Sequence, residues 1–292
     1  MLVPTARLLV AALAVVLVAG CGEDQDVQPL TPGSAEAAAP APGDPVALVG
    51  SWRVEAVAGE EPAAVLRLAA SDLSLWRDCG RLMGAWRADT GGLFVGAVSG
   101  GSAGCVSTAS ELTPAWLRQA TSYGVDGAVR VLLDERGAVV ARLLPGGRPT
   151  AGPDVAPSEA EPPVVTDQLR EAFRPAAPLP AGLEPADRSR LIGRWVPADG
   201  AGRSAPQPPF ALLAADGGWR GSDGCNGQGG RWVAGVGGSL LAVAGPQTLI
   251  GCDGVSVGSW LSSASWAGFD GKVLVLLDEA GQELGRLTPD PG

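Results

Sequence analysis

The sequence predicts an α+β, mostly antiparallel β protein made of two tandem small sheet or open-barrel domains, each with one helix. Gly and Pro number 43 and 25 among 292 residues, so few stretches are long enough for helices. Short apolar runs separated by turn residues are typical of strands. The chain also repeats itself once. These observations place the first domain at residues 46–146 and the second at residues 188–290.

Two segments carry the repeat. Leu48–Trp52 (LVGSW) returns as Leu191–Trp195 (LIGRW), and Asp126–Glu135 returns as Asp270–Glu279. One turn is longer in the second copy, where it reads Gly221–Asn226 (GSDGCN). A repeat of this length indicates a duplicated domain rather than a solenoid, whose repeats are much shorter.

Each copy is predicted to begin with a Gly-x-Trp strand and to continue with further short strands. We interpret the Trp residues as core or rim packing rather than ligand contacts, because large rings dominate cores of this size. The later strands contain Val65–Leu68, Trp76, Trp86 and Leu93–Val95 in the first copy, and Phe210–Leu213, Trp219, Trp232 and Leu240–Val243 in the second.

One helix and one hairpin are predicted after the second cysteine of each copy. Thr113 is expected to cap the first helix, with Pro114 at its first position, where an amide hydrogen has no intrahelical partner. Ser256–Ala264 is the matching helix. The hairpin turns end in Gly, which accepts a positive φ. The hairpins join Val129–Leu133 to Val139–Leu143 and Val273–Leu277 to Glu283–Leu287.

Composition excludes several functional classes. Histidine is absent, which excludes Ser-His-Asp and Cys-His catalysis and removes the commonest metal ligand. The cysteines form no Cys-x-x-Cys pair, so no structural zinc site is expected. Lys and Arg number 21 against 31 Asp and Glu and do not cluster, so nucleic acid is not an expected partner. We expect a protein that is not an enzyme and needs no cofactor or metal.

Residues 1–20 are predicted to be a lipoprotein signal peptide. Leu8–Val18 is an apolar run too short to span a bilayer comfortably, and Leu17–Cys21 (LVAGC) resembles a lipobox. Cys21 is then lipidated, palmitate included, and holds the protein on the extracytoplasmic face of the cell membrane. An ordinary secretory signal with a chance cysteine is the alternative.

Two low-complexity stretches separate the predicted domains from the lipid and from each other. Residues 21–45 are rich in Ala, Pro, Gly and acidic residues, which predicts a disordered tether. Residues 147–187 predict the linker. Within it, Thr166–Phe173 predicts a short helix that Thr166 caps and that docks on a domain through Leu169 and Phe173.

Four cysteines remain once Cys21 is assigned to the lipid. Two lie in each copy at matched positions, so we predict the pairs Cys79–Cys105 and Cys225–Cys252, although four cysteines allow three connectivities in general. An exported chain meets oxidising conditions, in which disulfides persist. A redox-active role is the alternative, but no cationic group is evident beside any of these thiols.

The second copy resembles the META/HslJ-like domain family, which is found in bacterial lipoproteins. Its opening strand Leu191–Trp195 and its segment Thr248–Cys252 are similar to family motifs. The turn that ends in Gly224, Cys225 and Asn226 is similar to the family's Gly-Cys-Asn turn.

The first copy is a divergent member under this resemblance. Gly80 stands where the family has Asn, and Ser102–Cys105 lacks the threonine four places before the cysteine. The resemblance implies an α+β domain exposed in the cell envelope and associated in places with stress, motility or drug resistance. The family has no agreed catalytic residues, so it implies none here.

Three functional hypotheses follow. The first is a non-catalytic, lipid-anchored envelope protein whose two modules bind an envelope protein or a cell-wall partner, or protect the envelope under stress. The second is a carrier of small apolar ligands of lipocalin-like type, because Gly-x-Trp also opens lipocalin barrels, whose mouths hold such ligands. The third is a hydrolase that uses Asp216, Asp223 and Asp253, although Asp beside Gly is typical of turns. Residues 235–238 (GVGG) lack a following helix and do not predict a phosphate site.

Overall fold

The predicted fold class is confirmed, since the protein is mostly antiparallel β-sheet with a few short helices. A computed structural model describes residues 42–55, 57–106, 112–152, 155–203, 207–248, 250–251 and 253–290. This part of the chain lies within one compact unit, and no helix in it has the length and apolarity to cross a membrane. The predicted signal peptide, Cys21 and most of the predicted tether lie outside these residues.

The first copy forms an eight-stranded sheet, called sheet A, and the second copy forms a nine-stranded sheet B. The strands of sheet A are β1 (Gly50–Glu55), β2 (Val65–Ala69), β3 (Asp72–Arg77), β4 (Gly80–Ala88), β5 (Phe94–Gly101), β6 (Ser122–Asp126), β7 (Val129–Leu133) and β8 (Val139–Pro145). The strands of sheet B are β9 (Glu184–Pro185), β10 (Gly193–Pro197), β11 (Phe210–Leu213), β12 (Gly218–Ser222), β13 (Gly227–Ala234), β14 (Leu240–Ala244), β15 (Trp266–Asp270), β16 (Val273–Leu277) and β17 (Glu283–Pro289).

The two sheets share one topology. Sheet A has the order β5-β4-β3-β2-β1-β8-β7-β6, and sheet B repeats it as β14-β13-β12-β11-β10-β17-β16-β15 with β9 added beside β15. The first and last strands of each copy therefore pair, and they do so antiparallel. Sheet A curls into a half-barrel, and its outer strands approach each other at a bridge between Leu93 and Ser122. Ser239 and Trp266 form the matching bridge in sheet B.

Tryptophan side chains fill the inner faces of both sheets. Trp86 and Trp232 are 1% and 0% exposed and belong to separate hydrophobic clusters, one in each copy. The Gly-x-Trp residues Trp52 and Trp195 each donate an indole hydrogen bond of 2.8 Å to the carbonyl oxygen four residues earlier. Side chains of this size fill the interior, as is usual in small barrels. The interpretation of these Trp residues as core packing is confirmed.

The described residues include six short α-helices. The helices predicted after the second cysteine are α2 and α6, and α4 lies in the predicted linker. The six are α1 (Ala103–Val106), α2 (Ala115–Gln119), α3 (Pro157–Ala160), α4 (Asp167–Ala172), α5 (Arg188–Leu191) and α6 (Val257–Ser263). Ser256 and Ala264 flank α6 as predicted.

The start of α2 differs from the prediction. Pro114 is the N-cap, with ψ of 149°, and the first helical residue is Ala115. Thr113 does not cap the helix, because its Oγ1 accepts a 2.9 Å hydrogen bond from the N–H of Val98 in β5. A tertiary contact has taken the hydroxyl that the sequence assigned to the helix.

The closing hairpins are confirmed, with β7 paired to β8 and β16 paired to β17. Gly137 and Gly281 both have φ of 78°, which only Gly adopts without strain. The sequence interpretation missed the strands that precede these hairpins, β6 and β15, and also missed the short edge strand β9.

The predicted linker contains ordered structure. Thr166 caps α4 as predicted, because its Oγ1 accepts a 3.2 Å hydrogen bond from the N–H of Leu169. Leu169 and Phe173 pack against the core of the first copy, where the Phe173 ring lies 5.5 Å from the Trp86 ring. The predicted docking of this helix is confirmed. Glu184–Pro185, also within the predicted linker, pairs with β15 as β9.

The last residues of the predicted tether are held by the first copy. Asp44 caps a 3₁₀ turn at Pro45–Leu48 by accepting a hydrogen bond from the N–H of Val46. The hydroxyl of Tyr123 in β6 donates to the carbonyl oxygen of Gly43. Residues 42–45 therefore belong to the folded part of the chain.

Candidate functional site

The predicted disulfide of the first copy is present. Cys79 and Cys105 are bonded, with their Cα atoms 5.1 Å apart. Cys79 lies in the turn between β3 and β4 and Cys105 lies in α1, so the bond ties that helix to the sheet. Cys225 is also disulfide-bonded. Its predicted partner Cys252 lies outside the described residues, so that pairing stays a prediction, and Cys21 lies outside them too.

The motif turn Gly224–Asn226 is held by hydrogen bonds from its own asparagine. The Asn226 amide donates to Oδ2 of Asp223 (3.1 Å) and to the carbonyl oxygen of Ile250 (3.0 Å). Its Oδ1 accepts from the N–H of Ile250 (2.6 Å) and from the hydroxyl of Thr248 (3.2 Å). This side chain is 7% exposed and its hydrogen-bonding capacity is used internally. The turn is therefore a brace between the β12–β13 connection and the segment after β14, and the Asn226 side chain is fully engaged in it.

Two of the three carboxylates that suggested a hydrolase, those of Asp216 and Asp223, accept hydrogen bonds from turn N–H groups. Burial would raise the pKa of Asp223, but hydrogen bonds from the N–H groups of Asn226 and Cys225 outweigh it, and its pKa lies below the usual Asp value. Asp216 accepts a 2.8 Å hydrogen bond from the N–H of Gly218, and Asp253 is exposed. Nowhere in the described ranges do three or more potential metal ligands cluster.

The first copy keeps part of the brace found in the second. Ser102 Oγ accepts a 3.0 Å hydrogen bond from the N–H of Arg81, as Thr248 Oγ1 accepts one of 3.0 Å from the N–H of Gly227. Gly80, with φ of 126°, takes the place of the asparagine, and a Cβ there would lie 2.7 Å from Ser102. In the first copy, Ser102 supplies this hydroxyl three places before Cys105, whereas in the second copy Thr248 supplies it four places before Cys252.

The two copies meet through equivalent strands. β4 and β5 of sheet A contact β13 and β14 of sheet B, which hold the same places in the shared topology. The contact is apolar, and its buried members are at most 3% exposed: Val95, Ala97, Val233, Leu241 and Val243. Strands covered on both faces read as continuous apolar runs, which explains the sequence of β5 and β14. Such a pairing of equivalent patches is like the isologous interface of a homodimer.

Two arginines brace this interface in a reciprocal way. Arg87 in β4 donates from Nη1 to the carbonyl oxygens of Ser262 (2.8 Å) and Ala264 (2.7 Å), at the C-terminal end of α6. Arg231 in β13 donates to the carbonyl oxygen of Arg118, near the C-terminal end of α2. Terminal carbonyl oxygens of a helix lack intrahelical partners and attract cations. Each copy therefore contributes a guanidinium group to the helix of the other.

Burial lowers the pKa of Arg87 without removing its positive charge at neutral pH. Desolvation lowers the pKa of its guanidinium to about 10, although the nearby carboxylates of Glu279 and Asp89 act in the opposite direction. Its Nη2 also lies 3.3 Å from Oγ of Ser265. The group remains a cation at neutral pH, and its donors point to oxygen atoms of the second copy.

A cleft of about 1100 Å³ lies beside Arg87, between the two copies. Its volume is slightly above the range of about 300–1,000 Å³ that is typical of sites for drug-sized ligands. The indole N–H groups of Trp86 and Trp266, both on its lining, have no hydrogen-bond acceptor among the residues that the structure describes. The apolar lining comes from the first copy, the second copy and the linker: Trp86, Leu93, Val236, Leu241, Trp266, Leu169 and Phe173.

Sequence reasoning did not find this cleft. Its lining is assembled from β4, the turn before β5, the turn before β14, the start of β15 and α4, which no local motif connects. The one available signal was the predicted docking of Leu169 and Phe173, because the apolar face of a linker helix packs against an apolar surface of a neighbouring domain.

The fold and this cleft define a duplicated antiparallel β protein with a candidate binding site between its copies. No family model matches the chain, no curated protein is significantly similar to it, and no solved structure matches its fold. The META/HslJ-like resemblance therefore depends on the motifs of the second copy alone.

Proposed function

We propose that the protein is a non-catalytic, lipid-anchored envelope protein that binds a partner on the extracytoplasmic face of the cell membrane, through the cleft between two META/HslJ-like copies. The observation that carries this proposal is the cleft itself, an apolar hollow with walls from both copies. Filled sheet interiors and the Arg87 brace keep those walls in place. A preorganised hollow favours binding, because little conformational freedom is lost on association. The proposed partner is an envelope protein or a cell-wall component.

Anchoring through Cys21 is one testable part of the proposal. In the full chain, Cys21→Ala is expected to abolish incorporation of a fatty-acid analogue and to release the protein from the membrane fraction, since each acyl CH₂ contributes about 0.8 kcal/mol of membrane affinity. Metabolic labelling and cell fractionation measure both effects. A Cys79→Ala variant is the control and should keep the label. Unchanged labelling and membrane association of Cys21→Ala would refute the anchor.

Partner binding is tested in cells with a photo-crosslinking residue at position 236. The Val236 side chain is 94% exposed on the lining of the cleft, whereas Val164 is 78% exposed away from it and provides the control position. We expect a discrete adduct from position 236 and none from position 164 on immunoblots of the anchored, full-length protein. If position 236 gives no adduct above the control, during growth and envelope stress alike, the cleft does not bind a partner.

A carrier of small apolar ligands is the second candidate, and one observation favours it. The cleft has the volume and the aromatic lining of a ligand site. The lipocalin-like form of this hypothesis places the ligand inside a barrel, but large buried side chains such as Trp86, Phe94 and Tyr123 occupy the interior of sheet A. We therefore propose carriage only for the cleft between the copies.

A further inference from the structure

We propose that the cleft between the two copies binds a cationic amphiphile, a molecule with an apolar chain and an ammonium head group. This inference rests on the carrier form of the proposed function and adds the chemical class of the ligand. Its support is the lining of the cleft, the engagement of Arg87 and the charges that remain at the opening.

The walls of the cleft suit an apolar chain. Trp86 and Leu241, at 1% and 3% exposed, lie behind the wall of the cleft, and the half-buried rings of Phe173 and Trp266 form the apolar surface that faces into it. α4 supplies Leu169, and its C-cap residue is Phe173. Among the described residues, the salt bridges of this segment are local, Arg170 to Asp167 and Arg174 to Glu171. Apolar contact is worth about 25 cal/mol per Å² removed from water, so a chain of ten or so carbons has surface to bury here.

Arg87, the guanidinium on the wall of the cleft, does not serve as an anion site. Its Nη1 donates to Ser262 and Ala264, and its Nη2 lies within hydrogen-bond distance of Ser265. An anionic head group would have to compete with these oxygen atoms for an already desolvated cation, and releasing them would leave buried carbonyl groups unpaired. The cleft therefore offers little to a carboxylate or a phosphate.

The remaining charge on the lining is negative. Three carboxylates and two guanidinium groups line the cleft, and the second guanidinium, on Arg174, forms a 2.8 Å salt bridge with Glu171. Asp89 and Asp278 accept hydrogen bonds from turn N–H groups. The exposed Glu279 side chain accepts no hydrogen bond and forms no salt bridge within the described part of the chain. Its charge acts on the nearby Arg87 guanidinium, but no hydrogen bond holds the carboxylate there, so an ammonium group can pair with it as well.

Aromatic rings add to the same preference. The faces of Trp and Phe attract cations through their quadrupole, and the effect grows when the cation is desolvated. Phe173 and Trp266 lie on the same lining as Glu279. The chain as a whole carries a formal net charge of −10, which also attracts cations from a distance. A cation with an apolar chain matches the rings, the carboxylate and the walls together.

The test compares three probes with the same twelve-carbon chain on the mature, full-length protein. Dodecyltrimethylammonium, dodecyl maltoside and dodecanoate are titrated below their micellar concentrations by isothermal calorimetry at low salt. We expect the cationic probe to bind most tightly and the anionic probe most weakly. The difference between the charged probes should shrink as salt screens the site.

Two pairs of variants locate the binding. Glu279→Gln should weaken the cationic probe about two- to fivefold and leave the maltoside unchanged, as expected for one partly exposed ion pair. Glu55→Gln makes the same change on β1, away from the cleft lining, and should change neither. Val236→Ser should weaken the cationic probe and the maltoside alike by about threefold, through lost apolar contact. Val164→Ser is its control.

Each outcome decides a different claim. Cationic preference that Glu279→Gln reduces and Glu55→Gln does not supports the inference. Equal binding of the three probes, or equal effects of the two Glu variants, overturns the cationic preference and leaves apolar carriage standing if Val236→Ser still weakens binding. Absence of binding by any probe overturns both the inference and the carrier hypothesis, while crosslinking at position 236 still decides partner binding.

Discussion

Arg87→Met is expected to lower the free energy of unfolding by about 2–4 kcal/mol, because it leaves the carbonyl groups of Ser262 and Ala264 without their donor in the interface between the copies. Methionine keeps an unbranched apolar side chain in place of the arginine stem, so the loss of stability measures the contribution of the guanidinium group. Chemical denaturation at neutral pH, followed by tryptophan fluorescence and circular dichroism, measures the change. The two copies should also lose cooperativity, since the interface that couples them is weakened.

The control is Arg53→Met on β1, where the guanidinium lies 3.8 Å from Glu55 and both side chains are exposed. Exposed pairs contribute about 0–1 kcal/mol, so this variant should unfold nearly as the parent does. If Arg87→Met proves as stable as Arg53→Met, the Arg87 guanidinium does not brace the copies. It then does not hold the wall of the cleft in place either.

Removal of the Cys79–Cys105 disulfide is expected to cost about 3–4 kcal/mol in the chain-entropy treatment of a loop with a sequence separation of 26. The bond limits the conformations of the unfolded chain and ties α1 to the β3–β4 turn. The double variant Cys79→Ala/Cys105→Ala, unfolded under oxidising conditions, measures the effect without disturbing the other cysteines.

Reduction of the parent protein supplies the comparison. Because Cys225 is also disulfide-bonded, full reduction of the parent should lower its stability by more than the double substitution does. Equal melting of the parent and the double variant would show that the bond contributes nothing to stability. Peptide mapping without reductant tests the pairing of Cys225 with Cys252 at the same time, and a bond between the copies would refute it.

Local turn chemistry explains why much of the fold could be predicted. The Asp134–Gly137 and Asp278–Gly281 turns each have an Asp side chain that accepts backbone N–H groups and a Gly at positive φ. Those requirements are met within four residues, so the sequence displays them. Thr166 likewise caps α4 through a contact three residues away.

Prediction failed where distant residues compete for a local group. Thr113 has the sequence of a helix cap, but the N–H of Val98 in β5 takes its hydroxyl. β6 and β15 precede turns at Gly127 and Gly271, both with positive φ, which are hairpin signals. They were missed because Gly124 and Gly268 interrupt their apolar pattern.

The sequence by itself determined the duplication, the β-rich class, the pairing of the first two structural cysteines and the core role of the tryptophans. Repetition, turn residues and apolar alternation are features of the sequence itself, which is why these properties could be predicted from it. Only the tertiary structure decided that β4 and β5 pack on β13 and β14, that Arg87 reaches across to α6, and that a cleft forms beside it. These contacts join residues more than a hundred positions apart, and side-chain direction in three dimensions, which no local pattern encodes, selects them.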